Sequence, residues 1–388
     1  MKKIISLTLA VLLGCTCLLA SAEVDKSLSG TSITVYNWGQ YISDGSDGTI
    51  NVIKEFEKAT GISVNYLTYE DNESLYSKLK TGGASYDVIF PSDYMAQKLI
   101  EENMLEELDF NNIANYSLIP DTFKNPAYDN ENKYTVPYTW GTVGVIYNTK
   151  YVTEKVDSWD ILWNEKYKGK ILMFGNSRDA FSIAQFMLGH SVNTENEEEL
   201  NAAADKLKEQ KPLVAAYVMD QIFDKMYNED AWIAPYYAGD FVTMNQKNPN
   251  LAFCFPKEGF NRFVDVAAIP KGAKNKKGAE MFIDFITNPE ISGQNCDVIG
   301  YTSPVEGSKE FLSEEIANSD IVYPGDEILL RAESFNSLSA QTYQLMEKLF
   351  TQVKASGNST WIIFLIIGAV LILVVVFVLI RSKKKNKY

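Results

Sequence analysis

One histidine and four cysteines in 388 residues leave little material for nucleophilic or metal chemistry. Cys15 and Cys17 fall in an N-terminal leader, so only Cys254, Cys296 and His190 remain for the rest of the chain. No zinc motif, Cys/His pair or Ser/His/Asp set can be assembled from that inventory, and no enzymatic activity, metal or cofactor is expected. Cys254 and Cys296 either pair in an oxidising compartment or stay as two buried thiols. His190 follows Gly189 at a predicted helix end, a position for a cap rather than a catalyst. Carboxylates are plentiful instead: the net charge is −14, and discounting Lys2, Lys3 and the five cations after residue 380 leaves −21 for residues 23–360. Such a surface repels nucleic acid and anionic lipid and gathers cations, although the same charge also serves solubility.

The elements that must position these groups alternate in type. Residues 31–38, 62–69 and 86–90 read as strands, and 50–60, 73–80 and 94–103 as helices; Ile50, Ile53 and Phe56 mark one apolar face, and Gly61 ends it. The second half repeats the theme, with strands at 143–147, 170–174, 231–237, 251–255 and 265–269. Helices are predicted at 179–188, 197–209, 221–228, 239–247, 277–286 and 337–354. This alternation predicts an α/β protein with parallel sheet packed between helices, and the length allows two domains with real cores.

Both ends carry export and membrane signals. Lys2 and Lys3 precede an apolar stretch at 4–13, and Ala20-Ser21-Ala22 before Glu23 fits signal-peptide cleavage, giving a leader at 1–22. Leu12-Leu13-Gly14-Cys15 also reads as a lipoprotein box. Residues 361–380 are an uncharged apolar run of 20, long enough at about 1.5 Å per residue to cross a bilayer as a helix. The basic tail at 381–388 predicts a cytoplasmic C-terminus, a single pass through the cell membrane and a ligand-binding part on the extracytoplasmic face. Residues 355–360 read as a short polar linker.

Several long blocks then occur in a familiar order: Tyr36-Asn37-Trp38-Gly39-Gln40-Tyr41, TYEDNESLYSKLKTGGASYDVIFPSDY (68–94), VPYTWGTVGVIYN (136–148), FPKEGFNRFVDVAAIPKGAKNKKGAEMFIDFI (255–286) and IGYTSPV (299–305). Over roughly 31–355 the chain resembles the spermidine/putrescine-binding proteins of ABC transporters. The resemblance implies a two-lobed, periplasmic-binding-protein-like fold of type II, with the ligand in a cleft that closes about a hinge. One lobe would hold 31–141 and 264–309, the other 142–263 and 310–356. An ABC permease is the implied partner, and the ligand-binding unit is expected to be monomeric. The C-terminal transmembrane helix departs from the family pattern and implies a tethered receptor.

By likeness, Trp38 and Tyr41 match the family's aromatic wall, and Ser92 and Tyr94 its Pro-Ser-x-Tyr turn. Asp265 matches the carboxylate that meets an amino group of the ligand, while Tyr236 and Phe263 fall where the family places aromatics. Asn176 stands where spermidine binders carry an Asp, Asp179 shortens a Glu, and Phe335 replaces a Gln. That end of the cleft thereby loses negative charge and reach, which favours the dication putrescine over the trication spermidine. Asn176 and Asp179 read equally as a helix N-cap and a first-turn carboxylate. Asp93 and Asp240 are further carboxylates available near the cleft. Two other readings stay open: the same fold holding a different small cation or neutral solute, and a ligand sensor for a membrane partner.

Overall fold

The computed structural model describes residues 26–82 and 85–356. The leader at 1–22, the apolar run at 361–380 and the tail at 381–388 lie outside the described residues, as does all of the polar linker beyond 356. Among the described residues no helix is long and apolar enough to cross a membrane.

The chain opens with β1 (Ser32–Trp38), α1 (Val52–Thr60), β2 (Ser63–Tyr69), α2 (Asn72–Thr81), β3 (Val88–Ile89) and α3 (Asp93–Glu101). Local chemistry marks the helix ends. Asn51 caps α1 by accepting from the Lys54 N–H, Gly61 ends it in the left-handed region, and Asp71 with Ser74 forms a capping box on α2. The next stretch holds β4 (Thr135–Asn148), β5 (Ile171–Phe174), α4 (Ser177–Leu188), α5 (Glu197–Gln210), β6 (Val214–Val218) and α6 (Ile222–Tyr227). It continues through β7 (Ile233–Tyr237), α7 (Ala238–Lys247), β8 (Leu251–Cys254) and β9 (Phe260–Ala268). After it come α8 (Lys276–Ile286), α9 (Pro289–Ile299), α10 (Glu314–Ala317), α11 (Asp326–Leu329), β10 (Ala332–Glu333) and α12 (Ala340–Ala355).

The strands run β2-β1-β3-β9-β4-β7-β5-β6, with β8 beside β4 and β10 beside β9. Within each half the βα alternation gives parallel pairs, β1 with β2 and β3, and β5 with β6 and β7. The sheet as a whole is mixed, which corrects the expectation of a parallel one. β4 enters after a long connection, β9 follows closely on β8, and the two pair antiparallel with each other. β4 also changes partner along its length: residues 135–142 lie against β9, and 143–147 against β7.

Only the second half of β4 was read as strand from the sequence. The whole strand is buried apart from two positions, so it shows no inside-outside alternation to detect. β6 and α9 were also not foreseen. Cys254 and Cys296 are both free thiols, and Cys296 is buried. Gly189 ends α4 in the left-handed region and His190 donates its backbone N–H to Gln185, which suits a cap.

Candidate functional site

β1 ends in Trp38, whose indole N–H donates to the Phe90 carbonyl at 2.7 Å and whose ring lies 4.8 Å from Tyr69. Gly39 follows, and a Cβ there would stand 2.1 Å from Asp220 Oδ2, so a side chain at this position would push the Asp220 carboxylate aside. Tyr41 is 5% exposed. Its hydroxyl donates to Asp265 Oδ2 and shares a hydrogen bond with Thr139 Oγ1, each at 2.5 Å, while its ring meets Tyr301 edge-on at 4.8 Å.

The turn after β3 is held by Asn72 at the start of α2. Asn72 accepts from the Ser92 N–H at 3.2 Å and donates to the Ser92 and Tyr94 hydroxyls at 3.1 Å each. Tyr94 donates in turn to Glu73 at 3.0 Å, and Tyr343 of α12 donates to the same carboxylate oxygen. Burial pushes the Glu73 carboxyl up to about 7, against the hydrogen bonds from Tyr343 and Tyr94.

From the second half of the sheet, Asn176 caps α4 by accepting from the Asp179 N–H at 2.9 Å and donates to Asp179 Oδ2 at 2.8 Å. Tyr237 donates to the same oxygen at 2.7 Å. Burial raises the Asp179 carboxyl, and these two donors oppose the shift. Phe335 meets Tyr94 edge-on at 5.7 Å and carries the Arg178 guanidinium 4.3 Å from its ring centre. Arg178 donates to the Val192 and Asn336 carbonyls and to Asn193 Oδ1, and it does not line the cleft.

Asp265 lies on β9, opposite Thr139 of β4 and bridged to Ser92, and is 4% exposed. Burial pushes its carboxyl up to about 6, against the neighbouring Ser92 and Tyr41 hydroxyls. Its Oδ1 has no hydrogen-bond partner among the described residues.

These residues surround one cleft with about 670 Å³ of empty space, its open mouth included. Trp38, Tyr41, Ser92, Tyr94, Asn176, Asp179, Tyr236, Phe263, Asp265 and Phe335 all line it. So do Glu70, Asp71, Glu73, Asp220, Asp240, Tyr237, Asn261 and Tyr301. Asp93 does not: its oxygens accept from the backbone N–H groups of Tyr94 and Val264, so it braces α3 against β9. Asp240 does line the cleft, and burial followed by the charge of Asp220 holds its carboxyl well above the usual range.

Among the described residues, seven carboxylates and eight aromatic rings therefore face one space that no lysine, arginine or histidine lines. Such a surface suits a cation with an apolar stem and offers no activated nucleophile. Sequence reasoning missed Glu73 and Asp220 as cleft residues. Glu73 read as an ordinary first-turn helix residue and Asp220 as part of a loop, and only the approach of the two sheet halves turns them inward. Tyr237 carried a usable signal, an aromatic next to Tyr236 at the end of a strand.

A family model described as bacterial extracellular solute-binding protein matches residues 51–322. The spermidine/putrescine-binding periplasmic protein of Escherichia coli is 33% identical over 339 residues, covering 87% of this chain and 94% of that one. The putrescine-binding periplasmic protein SpuD of Pseudomonas aeruginosa is 30% identical over 373 residues, covering 91% and 98%. Among solved structures, the spermidine/putrescine ABC transporter substrate-binding protein PotD of Streptococcus pneumoniae superposes with a TM-score of 0.70 at 34% identity, over 84% of this chain and 99% of that one. A Listeria monocytogenes structure reaches a TM-score of 0.80 at 35% identity, with the same coverage. The relatives are named as binding proteins, not enzymes, and the α/β periplasmic-binding-protein-like fold agrees with the resemblance. Their names also correct the expected location. They are named as proteins of the periplasm, against the expected single-pass placement in the cell membrane.

Proposed function

Because the chain belongs to the spermidine/putrescine-binding family of bacterial extracellular solute-binding proteins, we propose that it is the substrate-binding component of an ABC importer and takes a polyamine, putrescine or spermidine, into this cleft. The observation that carries the reading is the convergence of seven carboxylates and eight aromatic rings on a space lined, among the described residues, by no basic side chain. A polyamine is a methylene chain punctuated by ammonium groups, so it needs both kinds of wall. Asp265 meets one ammonium, with its unpaired Oδ1 as the acceptor. Asp179, held by Asn176 and Tyr237, serves a second. Trp38, Tyr41, Tyr94, Tyr236, Phe263 and Phe335 cover the methylenes and add cation–π contacts of about 0.5–2 kcal/mol each. Hydrogen bonds to a charged group add about 1.5–3 kcal/mol each, and a few of both kinds reach micromolar affinity after ordering costs.

Residues 31–141 with 264–309 form one lobe in this reading, and 142–263 with 310–356 the other. The change of partner along β4 between Thr142 and Val143 supports a hinge there and at the facing part of β9. Closure brings Tyr343 onto Glu73 and Asp220 onto Gly39, and the closed form is the one an ABC permease would read. Calorimetric titration of the purified protein with putrescine, spermidine and cadaverine at two salt concentrations tests the function. Micromolar or tighter binding, weakened by salt, is expected. No heat with any of the three, from a folded protein freed of carried-over ligand, overturns the reading.

A further inference from the structure

We propose that Asn261 is a specificity-determining ligand residue, whose side-chain amide accepts a hydrogen bond from the amine of a longer polyamine that a four-carbon diamine held at Asp265 does not reach. The proposal rests on the reading of the cleft as a polyamine site. On β9, alternate side chains share a face, so Asn261, Phe263 and Asp265 point the same way. All three line the cleft, and all three are buried, at 3%, 6% and 4% exposure, while Arg262 and Val264 between them are more exposed. The strand thus presents an amide, a ring and a carboxylate in a row. At about 3.3 Å per residue, positions 261 and 265 lie about 13 Å apart.

Asn261 Oδ1 has no hydrogen-bond partner among the described residues. The backbone of Asn261 pairs with Glu333 of β10, which leaves the side chain unused by the sheet. A buried acceptor left unpaired is costly, and a ligand N–H arriving in the cleft removes that cost. The surroundings agree. β10 leads directly to Phe335, and α4, whose first turn carries Asn176 and Asp179, packs against β9. Phe263 between the two polar groups covers methylenes, as a chain spanning them requires. A linear triamine, one aminopropyl unit longer than putrescine, has an amine to place at Asn261 and its methylenes along Phe263. The sequence favoured the dication because carboxylates matched to the family were few; length along β9 favours the longer amine.

Calorimetric titration of the full chain and of the variants Asn261→Ala and Asn261→Asp, each with putrescine and spermidine, tests this. In N261A the affinity for spermidine is expected to fall at least tenfold more than that for putrescine. In N261D, which keeps an acceptor and adds a charge, the preference for spermidine over putrescine is expected to rise at least tenfold. Equal loss for both amines in N261A with an unchanged melting temperature overturns the inference, as does an unchanged preference in N261D. The second variant decides the matter where the first does not fold. A wild-type protein that binds neither amine overturns the proposed function itself, so the two failures are told apart.

Discussion

Asp265 owes its properties to two neighbouring hydroxyls and to depth. Burial favours its neutral form, while the hydroxyls of Tyr41 and Ser92 favour the charge, and the carboxyl settles at about 6. An ammonium placed against Oδ1 tips that balance toward the carboxylate. Replacing Asp265 with Asn keeps the shape and removes the charge, so ligand affinity is expected to fall by about 2–5 kcal/mol in a calorimetric titration. Unchanged affinity would remove Asp265 from the site. Its candidacy came from resemblance and its unpaired oxygen from the structure. Asp93 shows the limit of counting carboxylates along a chain, because two backbone N–H groups already occupy its oxygens.

Among the elements, α4 couples folding to the cleft through its first turn. Asn176 caps the helix and also touches Asp179 Oδ2, so the two readings of this residue are both realised in the geometry. Asn176→Ala is expected to lower stability by about 0.5–2 kcal/mol, measured by urea unfolding. Asn176→Asp retains a capping oxygen but loses the donor to Asp179 Oδ2 and sets two buried carboxyls together, so the protein without ligand is expected to lose stability while polyamine affinity rises. Unchanged polyamine affinity in N176D would place Asn176 outside the ligand's reach. The helix was legible because its cap and its closing Gly189 are local signals. The first half of β4 was not, since a strand buried on both faces carries no period-2 pattern.

For the whole molecule, the raised carboxyls make stability and affinity respond to pH in opposite directions. Asp265 rises from 3.8 to about 6 and Glu73 from 4.5 to about 7, so the folded protein holds protons that the unfolded chain has already lost. These groups therefore make the protein without ligand less stable as pH rises through about 4 to 7. A bound ammonium prefers the ionised carboxylates, so affinity rises over the same window and protons are released. Thermal melts from pH 5 to pH 8 are expected to show a contribution from these groups that lowers the melting temperature without polyamine. The polyamine-induced rise should grow over the same range. A ligand-induced shift that is flat with pH would mean that neither carboxyl meets the amine.

Composition and pattern alone determined a great deal. The poverty in histidine and cysteine, the acidic balance and the alternation of strands and helices are properties of residue type and local period, and the long motif blocks by themselves place the chain near its family. Tertiary structure decided what depends on contacts distant in sequence. Tyr41 meets Asp265 across 224 positions and Tyr343 meets Glu73 across 270, and no local pattern encodes such pairs. The same holds for the antiparallel return of β4 and β9, for the carboxylates that face the cleft from loops, and for the unpaired amide of Asn261. Their roles follow from desolvation and proximity, which exist only once the two halves of the sheet have come together.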